Sequence, residues 1–295
     1  MGSQRQEENA QRRKVNSIFE LIEQGAAEDL LELSEKTEVA YLVEFEEEAM
    51  EYIKNAHKYM GVSTGYSGID ERLGSLLPGE LLTIGGDTGH GKSLLAMNIA
   101  QNVYAKEQKP VLMVNLELTR AQAVQRFYEM TPEHDYAGIM IQRASAVSYR
   151  DIDVLMQRAK DEGACLVVID HLHFFSRSAD NEPRELSRIT KHFKECAVQH
   201  NLPVILLSHV TPTRIMAQDG TVKKVYKPSL HNLKGSSSIE QDSDMVGFVF
   251  RNDGEAKLEF YLKKNRSRPL DDRPVQLTQK GWKLEEEGSW APNLD

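Results

Sequence analysis

The run Leu81-Leu82-Thr83-Ile84, followed at once by Gly85-Gly86-Asp87-Thr88-Gly89-His90-Gly91-Lys92-Ser93-Leu94-Leu95, constrains this chain more than any other stretch. Gly86, four residues, then Gly91-Lys92-Ser93 is the full glycine-rich phosphate-binding pattern, set between a buried-strand pattern and an apolar helix pattern. Gly86, Gly89 and Gly91 let the loop turn its backbone N–H groups towards phosphate. The N-terminus of the following helix adds partial positive charge. Lys92 is expected to reach the β- and γ-phosphates and Ser93 to ligate Mg²⁺. Thr88, His90 and Leu94 complete the expected cradle. A glycine turn that binds nothing is the plainer reading, and the strand-like run before the loop argues against it.

A chain of 295 residues can bury a large core, in one α/β domain with a small appendage or in two modest domains. No apolar run approaches the roughly 18 residues needed to span a bilayer, and the first thirty residues are polar rather than signal-like. A soluble, cytoplasmic protein with no membrane association is expected. Cys165 and Cys196 support neither a disulfide framework nor a zinc site. The formal charge of −9 stands at first sight against nucleic-acid binding, but its source is local. Residues Met1–Met60 hold seven Lys/Arg against fourteen Asp/Glu, leaving the remainder at −2. Basic patches elsewhere in the chain remain available to nucleic acid.

The first fourteen residues read as a polar, frayed end. Val15, Ile18, Phe19 and Ile22 fall on one helical face, as do Leu42, Phe45, Ala49, Tyr52, Ile53 and Ala56. This predicts a helical segment over 1–60, either covering the core or docking on a neighbouring subunit. Residues 61–80 are rich in Gly, Ser and Pro and mark the entry to a main domain over 61–295.

Beyond the loop, the apolar run Val111–Leu116 leads to Glu117. A carboxylate there suits a base for the water that attacks the γ-phosphate; capping the next helix is the alternative. The run ending at Asp170 reads as the strand whose terminal acid holds Mg²⁺ through water. His171 and His173 follow at alternating spacing. With His209 they suggest a transition-metal cluster, a reading disfavoured because no carboxylate-rich set accompanies them. His209 ends a further apolar run and can sense the γ-phosphate. From Thr211 to Lys234 a long basic loop carries Arg214, Lys223, Lys224, Lys227 and Lys234 against Asp219 alone, a pattern suited to a nucleic-acid backbone. Near the end, Lys263-Lys264-Asn265-Arg266 closes a hairpin strand. Such cations either solubilise an edge or act as an arginine finger on a neighbouring subunit's γ-phosphate, at about 10³–10⁵ in rate.

Thr64-Gly65, Gly68-Ile69-Asp70, Leu73-Gly74 and Pro78-Gly79-Glu80 resemble the start of RecA-like ATPases. The run SIEQDSD from Ser238, Arg251-Asn252-Asp253, KKNRSRP from Lys263 and Gly281-Trp282 narrow the resemblance. Together they look like the C-terminal ATPase domain of DnaB-type hexameric replicative helicases, over about Gly61 to Leu284. The resemblance implies a RecA-like P-loop fold with a central, mostly parallel sheet. It implies ATP and Mg²⁺ as ligands, Lys92 and Ser93 on the nucleotide, Glu117 as base, Asp170 on Mg²⁺ and His209 as sensor. Lys264 and Arg266 become the trans-acting cations. Lys234, Gly235, Ser236 and Ser237 match the loop that tracks single-stranded DNA, although Ser237 stands where many relatives have Gly. Bacterial members carry Gln at the position of His209 and phage members His, so the chain resembles the phage-type variant. The family's helical collar or primase domain is not read in this sequence, about sixty acidic residues standing in its place.

These readings predict a homo-hexameric, ATP-driven helicase that moves 5′ to 3′ on single-stranded or forked DNA, with a primase or loader as partner. A nuclease for branched DNA on the same scaffold, or a nucleotide-switched DNA-binding ring such as a loader or recombination accessory, are the alternatives.

Overall fold

The computed structural model describes residues 42–47, 50, 61–131, 135–142, 147–176, 182–211, 214–216, 222–233, 236–252 and 254–287. The chain separates between Tyr59 and Met60 into two units. In the first, Leu42–Phe45 forms a short 3₁₀ turn. The helical face read over Val15–Ile22, and most of the second one, lie outside the described residues.

In the second unit, nine strands form one sheet. They are β1 (Leu81–Gly86), β2 (Val111–Asn115), β3 (Ile139–Ile141), β4 (Leu166–Asp170), β5 (Val204–His209), β8 (Met245–Phe250), β9 (Lys257–Asn265), β10 (Val275–Lys280) and β11 (Lys283–Glu286). Their spatial order is β11-β10-β9-β8-β1-β5-β4-β2-β3. The six strands from β8 to β3 run parallel. Strands β9 to β11 continue the sheet antiparallel. The helices are α1 (Ser67–Leu73), α2 (Lys92–Glu107), α3 (Arg120–Met130), α4 (Asp151–Asp161), α5 (Glu182–His200) and α6 (Ser236–Asp242).

The central strands are apolar along their whole length because both faces of the sheet are covered. Successive residues then serve opposite cores. Leu82, Ile84, Val168, Ile205 and Leu207 pack on the side of α1, α2 and α3. Leu81, Val167, Ile169, Val204 and Leu206 pack on the side of α4, α5 and α6. The result is a three-layer α/β domain with β1 at its centre.

The basic stretch after Val210, read as a loop, instead contains a two-stranded antiparallel ribbon, β6 (Arg214–Met216) with β7 (Val222–Val225). Its apolar positions, Ile215, Val222 and Val225, are too few among lysines to signal a strand in sequence.

The two edges of the parallel sheet have different contents. Gly86, Asn115, Asp170 and His209 end their strands at the carboxyl edge. At the amino edge, the Leu81 N–H donates to Asp244 Oδ2 (2.8 Å) and the Arg266 N–H to the Asp244 carbonyl (2.9 Å). Leu81 and Gly86 stand at the two ends of the six-residue strand β1, about 17 Å apart at the strand rise.

Candidate active site

The glycine loop leaves β1 at the carboxyl edge and enters α2. Gly89 and Gly91 have φ of +82° and +98°, backbone that side chains rarely tolerate. A Cβ at Gly91 would also come within 3.2 Å of Leu258 Cδ2 and 3.4 Å of Arg251 Nη2. Thr88, Gly89, Gly91, Lys92, Ser93 and Leu94 line a cavity of about 340 Å³, together with Glu117 and His209. Gly86 supplies the strand end beneath it. The His90 side chain is buried instead, with its ring edge-on to Phe250.

Lys92 lies over its own loop, with Nζ donating to the carbonyls of Gly86 (2.9 Å) and Asp87 (3.1 Å). Burial lowers its pKa, opposed by the charges of Asp170, Glu117 and Asp87. Asp170 is buried at the end of β4, and among the described residues neither carboxylate oxygen has a well-formed hydrogen bond. Burial pushes its pKa up to about 6; the Ser93 hydroxyl pulls it down, Glu117 raises it, and Lys92 and Arg126 lower it. A buried carboxylate facing the Ser93 hydroxyl and a phosphate loop fits a hydrated Mg²⁺ ion, so Ser93 and Asp170 are suitable residues to hold one.

Glu117 stands two residues beyond β2. Asn115 Oδ1 holds its turn by accepting from the N–H groups of Glu117 (3.0 Å) and Leu118 (2.8 Å). Helix α3 is capped by Thr119, which forms a capping box with Gln122. The helix therefore does not use Glu117 as its cap, and the carboxylate is exposed in the cavity. Its Oε1 lies 3.1 Å from His171 Nε2. The same His171 nitrogen makes a short contact with His209 Nε2, and His209 Nδ1 is 3.4 Å from Lys92 Nζ. Burial lowers the His171 pKa, against the charge of Glu117, which raises it. His173 Nδ1 instead faces the His209 N–H (3.5 Å).

Four further residues line the cavity from chain segments far apart: Arg126, Arg251, Gln279 and Trp282. The Arg126 guanidinium lies over the Trp282 ring, 4.3 Å from its centroid. Among the described residues, Arg251 Nε and Nη2 are buried with no hydrogen-bond partner, as expected of a cation built to meet an anion. In sequence, Arg251 and Trp282 stood out only as family signatures.

Lys264 and Arg266 are absent from this cavity and lie at the opposite edge of the sheet. Lys264 Nζ donates to the carbonyls of Glu240 and Ser243 (2.7 Å), and Arg266 Nη2 to that of Gln241 (2.6 Å). Arg266 Nη1 also lies 3.3 Å from Asp244 Oδ1. Both cations thus satisfy carbonyls at the C-terminal end of α6. Of the residues expected on DNA, Lys234 and Gly235 lie outside the described residues. So do the side chains of Arg214, Lys223, Lys224, Ser236 and Ser237, of which only the backbone is placed, in β6, β7 and α6.

A glycine cradle at the carboxyl edge of a mostly parallel sheet, with a buried acid at the end of the second strand over, defines a P-loop domain of the RecA-like class. The chain belongs to the DnaB-like helicase C-terminal domain family, whose model matches residues 61–135 and 128–286. It is similar to the replicative DNA helicase DnaB of Geobacillus stearothermophilus, 28% identical over 246 residues, covering 71% of this chain and 53% of that one. To DnaB of Haemophilus influenzae it is 25% identical over 232 residues, covering 68% and 48%. The chain spans about half the length of these relatives. Among solved structures, an ATPase domain superposes with a TM-score of 0.67 at 20% identity, covering 84% of this chain and 99% of that one. A DnaB-like replicative helicase, solved with its interactions with primase, gives 0.64 at 21%, covering 92% and 75%. These two likenesses bear on the fold.

Proposed function

We propose that the chain is the motor of a DNA helicase, hydrolysing ATP to move along single-stranded DNA as a homo-hexamer in the cytoplasm. The observation that carries this reading is the convergence of Lys92, Glu117 and His209 on one cavity, with Asp170 buried beside its Ser93 and Lys92, in a DnaB-like chain. Residues 61–295 form the ATPase domain and 1–60 a helical segment that helps join neighbours.

In this mechanism Lys92 leaves its loop carbonyls for the β- and γ-phosphates, and Arg251 neutralises charge beside Gly91. Ser93 and Asp170 would hold Mg²⁺, which when bound would supply charge neutralisation on the phosphates. Glu117 accepts the proton of the attacking water. His209, touching both Lys92 and the His171 that faces Glu117, links the state of the γ-phosphate to the base. The distance of Lys264 and Arg266 from their own glycine loop suits action on a neighbour's site. Movement follows as the stretch from Arg214 to Ser237 shifts on the DNA backbone. A primase or loader is the natural partner class, and 5′ to 3′ the direction. The relatives' names speak for this reading rather than for a nuclease.

The test is a forked DNA incubated with the full chain. ATP-dependent release of an intact strand, lost in Lys92→Ala, is expected, together with ATPase activity stimulated by single-stranded DNA. Shortened strands produced without ATP would replace the motor with a nuclease, and ATPase indifferent to DNA would remove the coupling.

A further inference from the structure

Three adjacent strands each deliver one metal-capable side chain from their carboxyl ends. Strand β5 ends in His209, β4 is followed by His171, and β2 leads two residues on to Glu117. One ligand atom from each lies within 4.8 Å of the others. We propose that Glu117, His171 and His209 form a binding site for one divalent transition-metal ion of the Zn²⁺ or Co²⁺ class, distinct from the Ser93–Asp170 Mg²⁺ position.

The donor set points to the ion. Two imidazole nitrogens and one carboxylate oxygen suit Zn²⁺, Co²⁺ or Ni²⁺, whereas Mg²⁺ favours oxygen ligands. The contacts among the three groups also favour a cation between them. Lys92 Nζ has only protons to offer His209 Nδ1, which places the ring proton of His209 on Nε2, directed at His171 Nε2. That single proton joins the two rings. It leaves Glu117 Oε1, 3.1 Å from the same His171 nitrogen, facing a lone pair. A divalent ion instead accepts a lone pair from each of the three. His209 then carries its proton on Nδ1, so the Lys92 ammonium gives up that nitrogen as an acceptor and keeps its two carbonyls.

Binding requires the two Nε2 atoms to part to about 3.3 Å, the separation set by Zn–N bonds of about 2.0–2.1 Å in tetrahedral geometry. His171 is held by stacking on Phe174, ring centroids 4.7 Å apart, and its Nδ1 has no hydrogen-bond partner among the described residues. This thin outer support sets the affinity below that of a dedicated structural zinc site. The His171–His173–His209 grouping considered from sequence is thus replaced by one that exchanges His173 for a carboxylate from another strand.

The experiment reads metal binding directly and does not depend on hydrolysis. The full chain, freed of metal by chelation and of nucleotide, is titrated with Co²⁺ in a buffer containing Mg²⁺. A visible ligand-field band of low-coordinate Co²⁺, saturating at one ion per chain and displaced by Zn²⁺, is expected. Affinity should fall at least about tenfold in His171→Asn and in His209→Asn, and stay unchanged in His173→Asn. Circular dichroism checks that each variant folds. Glu117→Gln, on an exposed side chain, provides a further variant that leaves the core intact and should weaken binding similarly. No band, or a band that survives both histidine substitutions, overturns the site.

Discussion

Asp170 is a carboxylate that the fold buries with only the Ser93 hydroxyl and the charges of Lys92 and Arg126 to offset the burial, and a buried charge so weakly compensated is costly. Asp170→Asn should therefore stabilise the metal- and nucleotide-free chain at pH 8, by about 1–3 kcal/mol in urea unfolding. The same variant should lose Mg²⁺-dependent nucleotide binding, measured by fluorescent-nucleotide titration. The cysteines are a simpler case. Burial pushes the Cys165 thiol up to about 11 and that of Cys196 to about 12. Because both pKa values are raised, both groups stay protonated at pH 8 and ionise only as pH climbs towards those values. A disulfide-exchange reagent should label neither in the native chain at pH 8 and both in urea. At this scale the glycine loop, Glu117 and Asp170 were legible because each sits at the end of an apolar run. Arg126, Gln279 and the link from His171 to Glu117 were not, because only the sheet order brings those segments together.

Helix α6 has two ends with different tasks. Its N-terminal residues, Ser236 and Ser237, belong to the stretch proposed to follow DNA, and its C-terminal carbonyls are held by Lys264 and Arg266. Losing the Lys264 ammonium leaves those carbonyls short of donors. Lys264→Met should cost about 1–3 kcal/mol in a urea melt. It should also weaken single-stranded DNA binding in fluorescence anisotropy, although Lys264 lies outside the DNA stretch. A variant with wild-type DNA affinity would uncouple the two ends. The elements with long apolar runs, β1, β4 and β5, could be read directly. The β6–β7 ribbon could not, since hydrogen bonding across a short charged hairpin leaves little trace in hydropathy. The cap of α3 is an intermediate case: from sequence only Glu117 was weighed as its cap, and the capping box assigns Thr119 instead.

Across the whole molecule, the glycine loop and the Lys264–Arg266 pair sit at opposite edges of one sheet. On the proposed trans reading, Lys92→Ala and Arg266→Ala each inactivate every site of a uniform assembly. Mixed together, they should regain part of the DNA-stimulated ATPase, because some junctions join an intact loop to an intact finger. A phosphate-release assay on mixtures measures this, and mixtures no more active than either variant alone would place Arg266 outside the site. On the same reading a giving pole at one edge meets a receiving pole at the other, a head-to-tail contact that repeats from chain to chain. Any assembly built through it therefore has a handedness: going round a closed ring, every chain faces the same way, and the mirror-image circuit cannot be made from the same parts.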